Sequence, residues 1–410
     1  MKKWVFLSGR EQVISCLIED GRMKECRIDD REGSFVGSIY TAQIENLVPS
    51  IQAAFLKIGD RRCYFSIKGN PMPVFTRQAR PGTYTVGDEI LVQIETDALK
   101  TKEPAARSTL QISGRFGVVM YPETGVYVSK KIRDEALAGE LKAKLKHRYR
   151  EQTGVLIRTN AKDADRDEVF AELDRMEETL RTITETAQFR SAGSLLWKPE
   201  PAYLKTVQSL TAEIDELVTD NEELYQELSG CLKQYPATAS IPCRLYSDPL
   251  LSLDACLRIR SQLEKALEKQ VWLSSGAYLV IEQTEALTAI DVNTGKAGGK
   301  KKDMEEFVFQ VNREAAKEIM AQIRLRNLSG ILILDFINMK SREHQEALMA
   351  QLRQLAAQDP VPVAVVDLTA LGLVELTRKK ERDTLERQYR ARNFADSASA
   401  CEASAKSVTV

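Results

Sequence analysis

The sequence predicts a multidomain α/β protein. Three observations carry that prediction. The chain has 410 residues with 43% hydrophobic and 29% charged, enough for two to four domains at about 150 residues each. Residues 34–113 are rich in β-branched residues and glycine. From residue 276 onward, apolar strand-like runs alternate with helical periods, which signals an α/β layer.

The elements follow in order. Residues 4–7 and 12–18 read as strands, with a turn at Asp20-Gly21-Arg22. Five short strands are predicted at 35–44, 51–58, 62–67, 89–95 and 107–112. That density suggests a small barrel of the OB kind. Pro71, Pro73 and Pro81 mark a long loop within it. A helix is expected over 135–149, and its end carries Lys142, Lys144, Lys146, Arg148 and Arg150 with no acid. A strand over 154–159 follows, then a helix over 163–186. In that helix Phe170, Leu173, Met176, Leu180 and Ile183 share one face and read as core. Residues 198–270 mix helices and short strands without a catalytic cluster. Then come a hairpin (277–281, 286–292), a helix over 304–326, a strand over 330–336, a helix over 342–357 and a strand over 361–366. The Ala/Ser-rich stretch 393–410 reads as a disordered tail.

Composition excludes several classes. Lys plus Arg is 58 and Asp plus Glu is 59, a net charge of -1, so the chain is no globally basic nucleic-acid coat, although local basic patches remain open. No apolar run reaches the ~18 residues of a membrane helix. The start of the chain lacks the apolar stretch of about 7–15 residues that a secretory signal needs. Seven cysteines, none spaced Cys-x-x-Cys, exclude the usual zinc ribbons and fit reduced thiols in a cytoplasm. Two histidines, His147 and His344, rule out a histidine-rich zinc site.

Chemistry concentrates on two aspartates. Asp291 ends the run Leu287-Thr288-Ala289-Ile290, and Asp335 ends Ile331-Leu332-Ile333-Leu334. Reactive groups gather at strand ends in open α/β sheets. Two carboxylates on neighbouring strands make a hard-oxygen site suited to Mg²⁺. Asn293, two residues beyond Asp291, lies on the same side of an extended chain. The same pattern also fits aspartates that merely open a turn. The loop Gly295-Lys296-Ala297-Gly298-Gly299-Lys300, followed by Lys301 and Lys302, fails the spacing of a phosphate-binding loop. It fits a basic loop for a polyanion, or a solvated charge run. Phe55 and Phe65 are aromatics of the barrel that could stack bases, though Tyr64 beside Phe65 means that one of those two faces the core. Arg158-Thr159 could grip a terminal phosphate, or simply end a surface strand.

Two runs together are specific. They are Thr288-Ala289-Ile290-Asp291-Val292-Asn293-Thr294-Gly295 and Gln322-Ile323-Arg324-Leu325-Arg326-Asn327-Leu328-Ser329-Gly330, the second leading into Ile331-Leu332-Ile333-Leu334-Asp335-Phe336-Ile337-Asn338-Met339. They resemble the catalytic segment of the ribonuclease E/G family, and the resemblance extends over residues 1 to about 385. It implies a single-strand-specific, Mg²⁺-dependent endoribonuclease of RNA processing and decay. Such an enzyme leaves a 5′-phosphate and a 3′-hydroxyl. Asp291 and Asp335 match the family's Mg²⁺ ligands, and Asn293 the asparagine that orders them. Phe55 and Phe65 match two RNA-contacting aromatics of a barrel of the S-one type, and Lys102 a basic contact. Arg158 and Thr159 match the pair that binds a 5′-monophosphate, with Val118 as packing neighbour.

The implied organisation is a ribonuclease-H-like scaffold (1–33 and 198–270) with inserted OB-fold barrel (34–114) and 5′-sensor (115–197), then a DNase-I-like catalytic domain (271–390) and a tail (391–410). The chain departs from the family at one point. The Cys-Pro-x-Cys motif that links two chains through zinc is replaced by Arg390-Ala391-Arg392-Asn393-Phe394, and Cys401 stands alone. A homodimer would therefore not use the zinc link. Asn338 stands where an aspartate is common. With no long extension after the catalytic segment, the expectation is the short G type, cytoplasmic and acting on single-stranded RNA. The alternatives are an inactive RNA-binding protein of the same fold and a Mg²⁺-dependent phosphatase of small substrates.

Overall fold

The computed structural model describes residues 1–9, 11–80, 82–96, 103–210, 213–295 and 304–391. They form two compact units, Glu32–Ser209 and Met1–Arg31 with the described residues from Leu210 onward.

In Glu32–Ser209 five strands close into an OB-like barrel. In ring order they are Ile39–Val48, Ala53–Ile58, Arg61–Ser66, Ala105–Arg107 and Glu89–Thr96. Closure depends on Ile39–Val48, which pairs antiparallel with Glu89–Thr96 through its first half and with Ala53–Ile58 through its second. A register irregularity between Ile44 and Asn46 bends the strand from one partner to the other. Alternate residues point inward, so Ala42, Ile44, Ala54, Leu56, Cys63, Phe65, Ile90, Val92 and Ile94 fill the barrel.

The strand expected over 107–112 is in fact two, Ala105–Arg107 and Leu110–Ser113. The break falls at buried Ser108, whose N–H donates to the Asn70 side chain (2.7 Å) instead of to a ladder. The first piece closes the barrel. The second starts a four-stranded sheet ordered Leu110–Ser113, Gly117–Tyr121, Gly154–Ile157, Val126–Val128.

Helix Arg166–Thr186 packs on that sheet with Phe170, Leu173, Met176, Leu180 and Ile183 buried. Asp165 caps its first turn by accepting from the N–H groups of Asp167 and Glu168. The basic helix stops at Leu145. Two of its trailing cations turn onto helix Arg166–Thr186: Arg148 pairs with Asp174 (2.6 Å) and Arg150 with Glu177 (3.4 Å).

The other unit contains two sheets. The first is ordered Cys243–Leu245, Glu216–Thr219, Lys2–Ser8, Gln12–Glu19, Arg22–Asp30. Its chain-initial strands are antiparallel, and Glu216–Thr219 and Cys243–Leu245 add in parallel. The second sheet is ordered Gln270–Trp272, Tyr278–Gln283, Leu287–Asn293, Gly330–Asp335, Leu373–Arg378, Val363–Leu368. Leu373–Arg378 was not among the expected strands, although its sequence alternates. Helices Met304–Leu325 and Arg342–Ala356 cover one face, packing on Ile290, Val292, Leu332, Leu334, Val374 and Leu376.

The two sheets are tied by polar contacts. The buried Glu25 carboxylate accepts from Arg324 (3.1 Å), Asp29 pairs with Arg382 (3.0 Å), and Ile28 N–H donates to Gln388 (3.1 Å). No helix of the described residues is long and apolar enough to cross a membrane.

Candidate active site and RNA-contacting surfaces

Strand register builds the carboxylate pair. Leu287–Asn293 and Gly330–Asp335 run parallel, and Asp291 lies directly opposite Asp335. Neighbouring strands are about 4.8 Å apart, so both carboxylates sit side by side. Alternation sends Ile290, Val292, Leu332 and Leu334 into the core, leaving Asp291 and Asp335 exposed on the other face. Asn293 donates from Nδ2 to Oδ2 of Asp291 (2.7 Å). That bond fixes the orientation of one carboxylate and, among the described residues, leaves its second oxygen open.

Among the described residues no group of three or more His, Cys, Asp or Glu is placed as a metal cluster. Two exposed, adjacent carboxylates nevertheless fit a hard cation such as Mg²⁺, which takes one or two protein carboxylates and keeps several waters. Lys296, Lys300, Lys301 and Lys302 lie outside the described residues, as do Lys102, Arg392 and the tail with Cys401.

Two groups that sequence reasoning missed hold this site. Asn312 is fully buried within helix Met304–Leu325. Its side chain donates to the Ile337 carbonyl (2.7 Å) and accepts from the Ile337 N–H (3.1 Å). This two-point clamp fixes the chain two residues beyond Asp335. Glu305 accepts from the N–H groups of Lys340 and Ser341 (both 2.8 Å). The only sequence signal was an asparagine at an apolar helix position. Further back, Arg378 and Asp359 form a buried two-point pair at 3.0 and 3.2 Å, and Arg378 also donates to Asn327 and the Leu328 carbonyl. This network fixes the entry to strand Gly330–Asp335.

On the barrel, Phe55 and Phe65 separate. Phe65 is 0% exposed and belongs to the core. The expectation that its ring meets RNA is corrected here, because strand alternation turns Tyr64 outward in its place. Phe55 pairs with Tyr64 across the strands, their rings edge-to-face at 6.2 Å. Arg62 stacks its guanidinium over Phe55 at 4.3 Å and pairs with Glu45 at 3.2 Å. The outer face thus carries two partly exposed rings and a cation.

Arg158 and Thr159 follow strand Gly154–Ile157 and are exposed. Arg158 donates from Nη1 to the Gly114 carbonyl (2.8 Å) and its N–H to the Phe116 carbonyl (2.8 Å). The Thr159 hydroxyl lies 3.1 Å from the Ser129 hydroxyl. Val118 is buried on strand Gly117–Tyr121, opposite Leu156. Beneath the loop sits Glu172, 4% exposed, accepting from the N–H groups of Arg115 (3.0 Å) and Phe116 (2.7 Å). Burial pushes its carboxyl up, against the pull of these amides. Gly114 is required here, since a Cβ would overlap the Glu172 carboxylate.

One unit carries a closed barrel with an aromatic and cationic outer face, and the other carries a carboxylate pair on an open sheet face; each suits a nucleic-acid strand. Comparison with known proteins sharpens the class. The model of the Ribonuclease E/G family matches residues 111–381. Ribonuclease G of Escherichia coli (strain K12) is 29% identical over 384 residues, covering 90% of this chain and 78% of that one. Ribonuclease G of Haemophilus influenzae is 30% identical over the same shares. Ribonuclease E of Synechocystis sp. is 30% identical over 395 residues, 94% of this chain and 58% of that protein. The chain belongs to the ribonuclease E/G family and is an endoribonuclease.

Proposed function

We propose that the protein is a Mg²⁺-dependent endoribonuclease that cuts single-stranded RNA into 5′-phosphate and 3′-hydroxyl ends, and that it favours 5′-monophosphorylated RNA. The observation that carries this reading is the direct register of Asp291 with Asp335 on the exposed sheet face. These two residues are the proposed metal ligands. Asn293 holds Asp291 in its binding orientation, and Asn312 holds the segment beyond Asp335. When bound, Mg²⁺ supplies charge neutralisation at the phosphodiester and lowers the pKa of a bound water.

Phe55, Tyr64 and Arg62 stack and attract the strand without reading sequence, with Lys102 as a further basic contact. Arg158 and Thr159 take the terminal phosphate. One guanidinium N–H is spent on Gly114, and the remaining donors of the fork suit a phosphate.

The sheet order in which the first three strands are antiparallel and two later ones add in parallel supports the ribonuclease-H-like scaffold, split around barrel (34–114) and sensor (115–197). The six-stranded sheet backed by two helices supports a DNase-I-like catalytic domain over 271–390. We assign the protein to cytoplasmic RNA processing and decay, with any homodimer formed without the zinc link.

The test is one single-stranded RNA oligomer carrying either a 5′-monophosphate or a 5′-hydroxyl, incubated with Mg²⁺ or with EDTA. The reading expects cutting only with Mg²⁺ and faster cutting of the monophosphate. Equal cutting in EDTA contradicts it.

A further inference from the structure

The sheet that carries the carboxylates also carries an aromatic pair on the same face. Trp272 pairs with Tyr278, and Tyr278 pairs with Asn293. Directly paired residues of antiparallel strands point to the same side of the sheet. Asn293 in turn shares its side with Asp291, to which it is bonded. A row therefore runs Trp272, Tyr278, Asn293 across three strands, ending beside the Asp291–Asp335 column. The opposite face of the same strands holds Leu279, Ile281, Ile290 and Val292 in the core.

The indole of Trp272 is 60% exposed. A large aromatic surface left in water at this position does nothing for the core. Its ring leans on Tyr278, with centroids 5.1 Å apart and planes inclined by 52°, so the pair is braced. The turn between the two residues is fixed as well. One carboxylate oxygen of Glu314 accepts from Ser274 N–H (2.8 Å), Ser274 hydroxyl (2.5 Å) and Ser275 N–H (3.3 Å). Gly295, just past Asn293, comes so close to Tyr278 that an added Cβ would press on its ring and on the Gly276 carbonyl. The platform is thus held from three sides and ready before any ligand arrives.

We infer that Trp272 and Tyr278 form a base-binding subsite, which stacks a nucleobase of the RNA strand next to the phosphodiester held at Asp291 and Asp335. Two strand spacings of about 4.8 Å separate the Trp272 strand from the Asp291 strand, within reach of a nucleotide adjoining the scissile bond. Stacking needs only a π-face, so the subsite takes any base and orients the strand rather than reading it. The inference rests on the catalytic reading of the aspartate pair, and its test separates the two.

Binding is read first in full-length protein carrying Asp335→Asn, so that no cleavage intervenes. Titration with a single-stranded RNA oligomer should quench a tryptophan signal that is missing when Trp272→Phe is added. Trp4 is buried and Trp197 half-buried, and both are common to the two proteins, so the difference between them reports the exposed indole of Trp272. In the otherwise native enzyme, Trp272→Ala should raise KM about tenfold, a typical value for one stacked base, with a smaller change in kcat. Oligomers with a single abasic position stepped along the strand should show one position next to the cut where the native enzyme loses about tenfold and Trp272→Ala loses nothing further. Trp272 is exposed, so an unchanged Tm is the folding control. Quenching that survives Trp272→Phe, or an abasic profile identical in both proteins, overturns the subsite while leaving the aspartates' role intact. Native-rate cleavage by Asp335→Asn overturns the catalytic reading instead, and the quenching result still stands on its own.

Discussion

The carboxylate pair and the loop that carries Arg158 and Thr159 are built by different means. Asp291 and Asp335 are placed by strand register and are exposed; Asn293 bonds to Asp291, and the buried Asn312 holds the chain just beyond Asp335. Arg158 is placed by a loop that folds over a buried carboxylate, Glu172, and is itself bonded to that loop. The first arrangement leaves oxygens unspent, which suits a site completed by a cation and water. The second spends part of its hydrogen bonding in advance, which suits a site that must hold one fixed shape for an anion. Strand register aims the pair of acids and needs support only beyond its end, whereas an arginine on a loop needs a prop beneath it.

The largest expected effect tests the exposed pair. Asp291→Asn should lower cleavage about a thousandfold, the loss of several kcal/mol of charge stabilisation, with RNA affinity unchanged by fluorescence anisotropy. The buried clamp comes next. Asn312→Leu leaves the Ile337 N–H and carbonyl without their partner, and should cut kcat about 10–100-fold, the usual cost of losing a group that orients a ligand. Mg²⁺ titration of activity would locate the loss in metal affinity. On the loop side, Arg158→Gln should reduce the advantage of 5′-monophosphate over 5′-hydroxyl RNA about tenfold, the value of a charge-assisted bond. Cleavage of the hydroxyl form should stay at the native rate.

The barrel offers a paired control. Phe55→Ala should weaken RNA binding by about 1–3 kcal/mol with little change in Tm, whereas Phe65→Ala should cost about 3–5 kcal/mol of stability as a core deletion.

The smallest effect concerns pH. Because burial raises the Glu172 carboxyl, the folded chain holds that proton more tightly than the unfolded one. Its contribution to stability is full below the ordinary carboxylate pKa of about 4.3 and is lost as pH rises through the raised value. Glu172→Gln should flatten that part of the Tm–pH curve. An unchanged curve would remove Glu172 as the prop of the loop.

The contrast also explains what the sequence disclosed. Strand alternation and the position of Asp291 and Asp335 at strand ends are local patterns, so the acid pair and the two strands that carry it were legible. The core face of helix Arg166–Thr186 was legible for the same reason. The choice between Tyr64 and Phe65 was not, because alternation gives two sides without saying which is inside; packing against Tyr84 and the barrel interior decides it. The roles of Glu172 and Asn312 were hidden, beyond the oddity of an asparagine at an apolar helix position, because each acts on backbone groups far away in the chain. The split at Ser108 was hidden because its cause, Asn70, lies 38 residues earlier. The cations Arg148 and Arg150 stand in a stretch of the sequence with no acid, yet carboxylates of the next helix pair with them.

The most direct test of the account is a single-turnover measurement on one 5′-monophosphorylated, single-stranded RNA with native protein and Asp335→Asn, each with Mg²⁺, alongside anisotropy of the same RNA. Both proteins should bind the RNA equally, and the native protein alone should cleave it. Cleavage by Asp335→Asn at the native rate would contradict this, and would move the catalytic centre away from the register of these two strands.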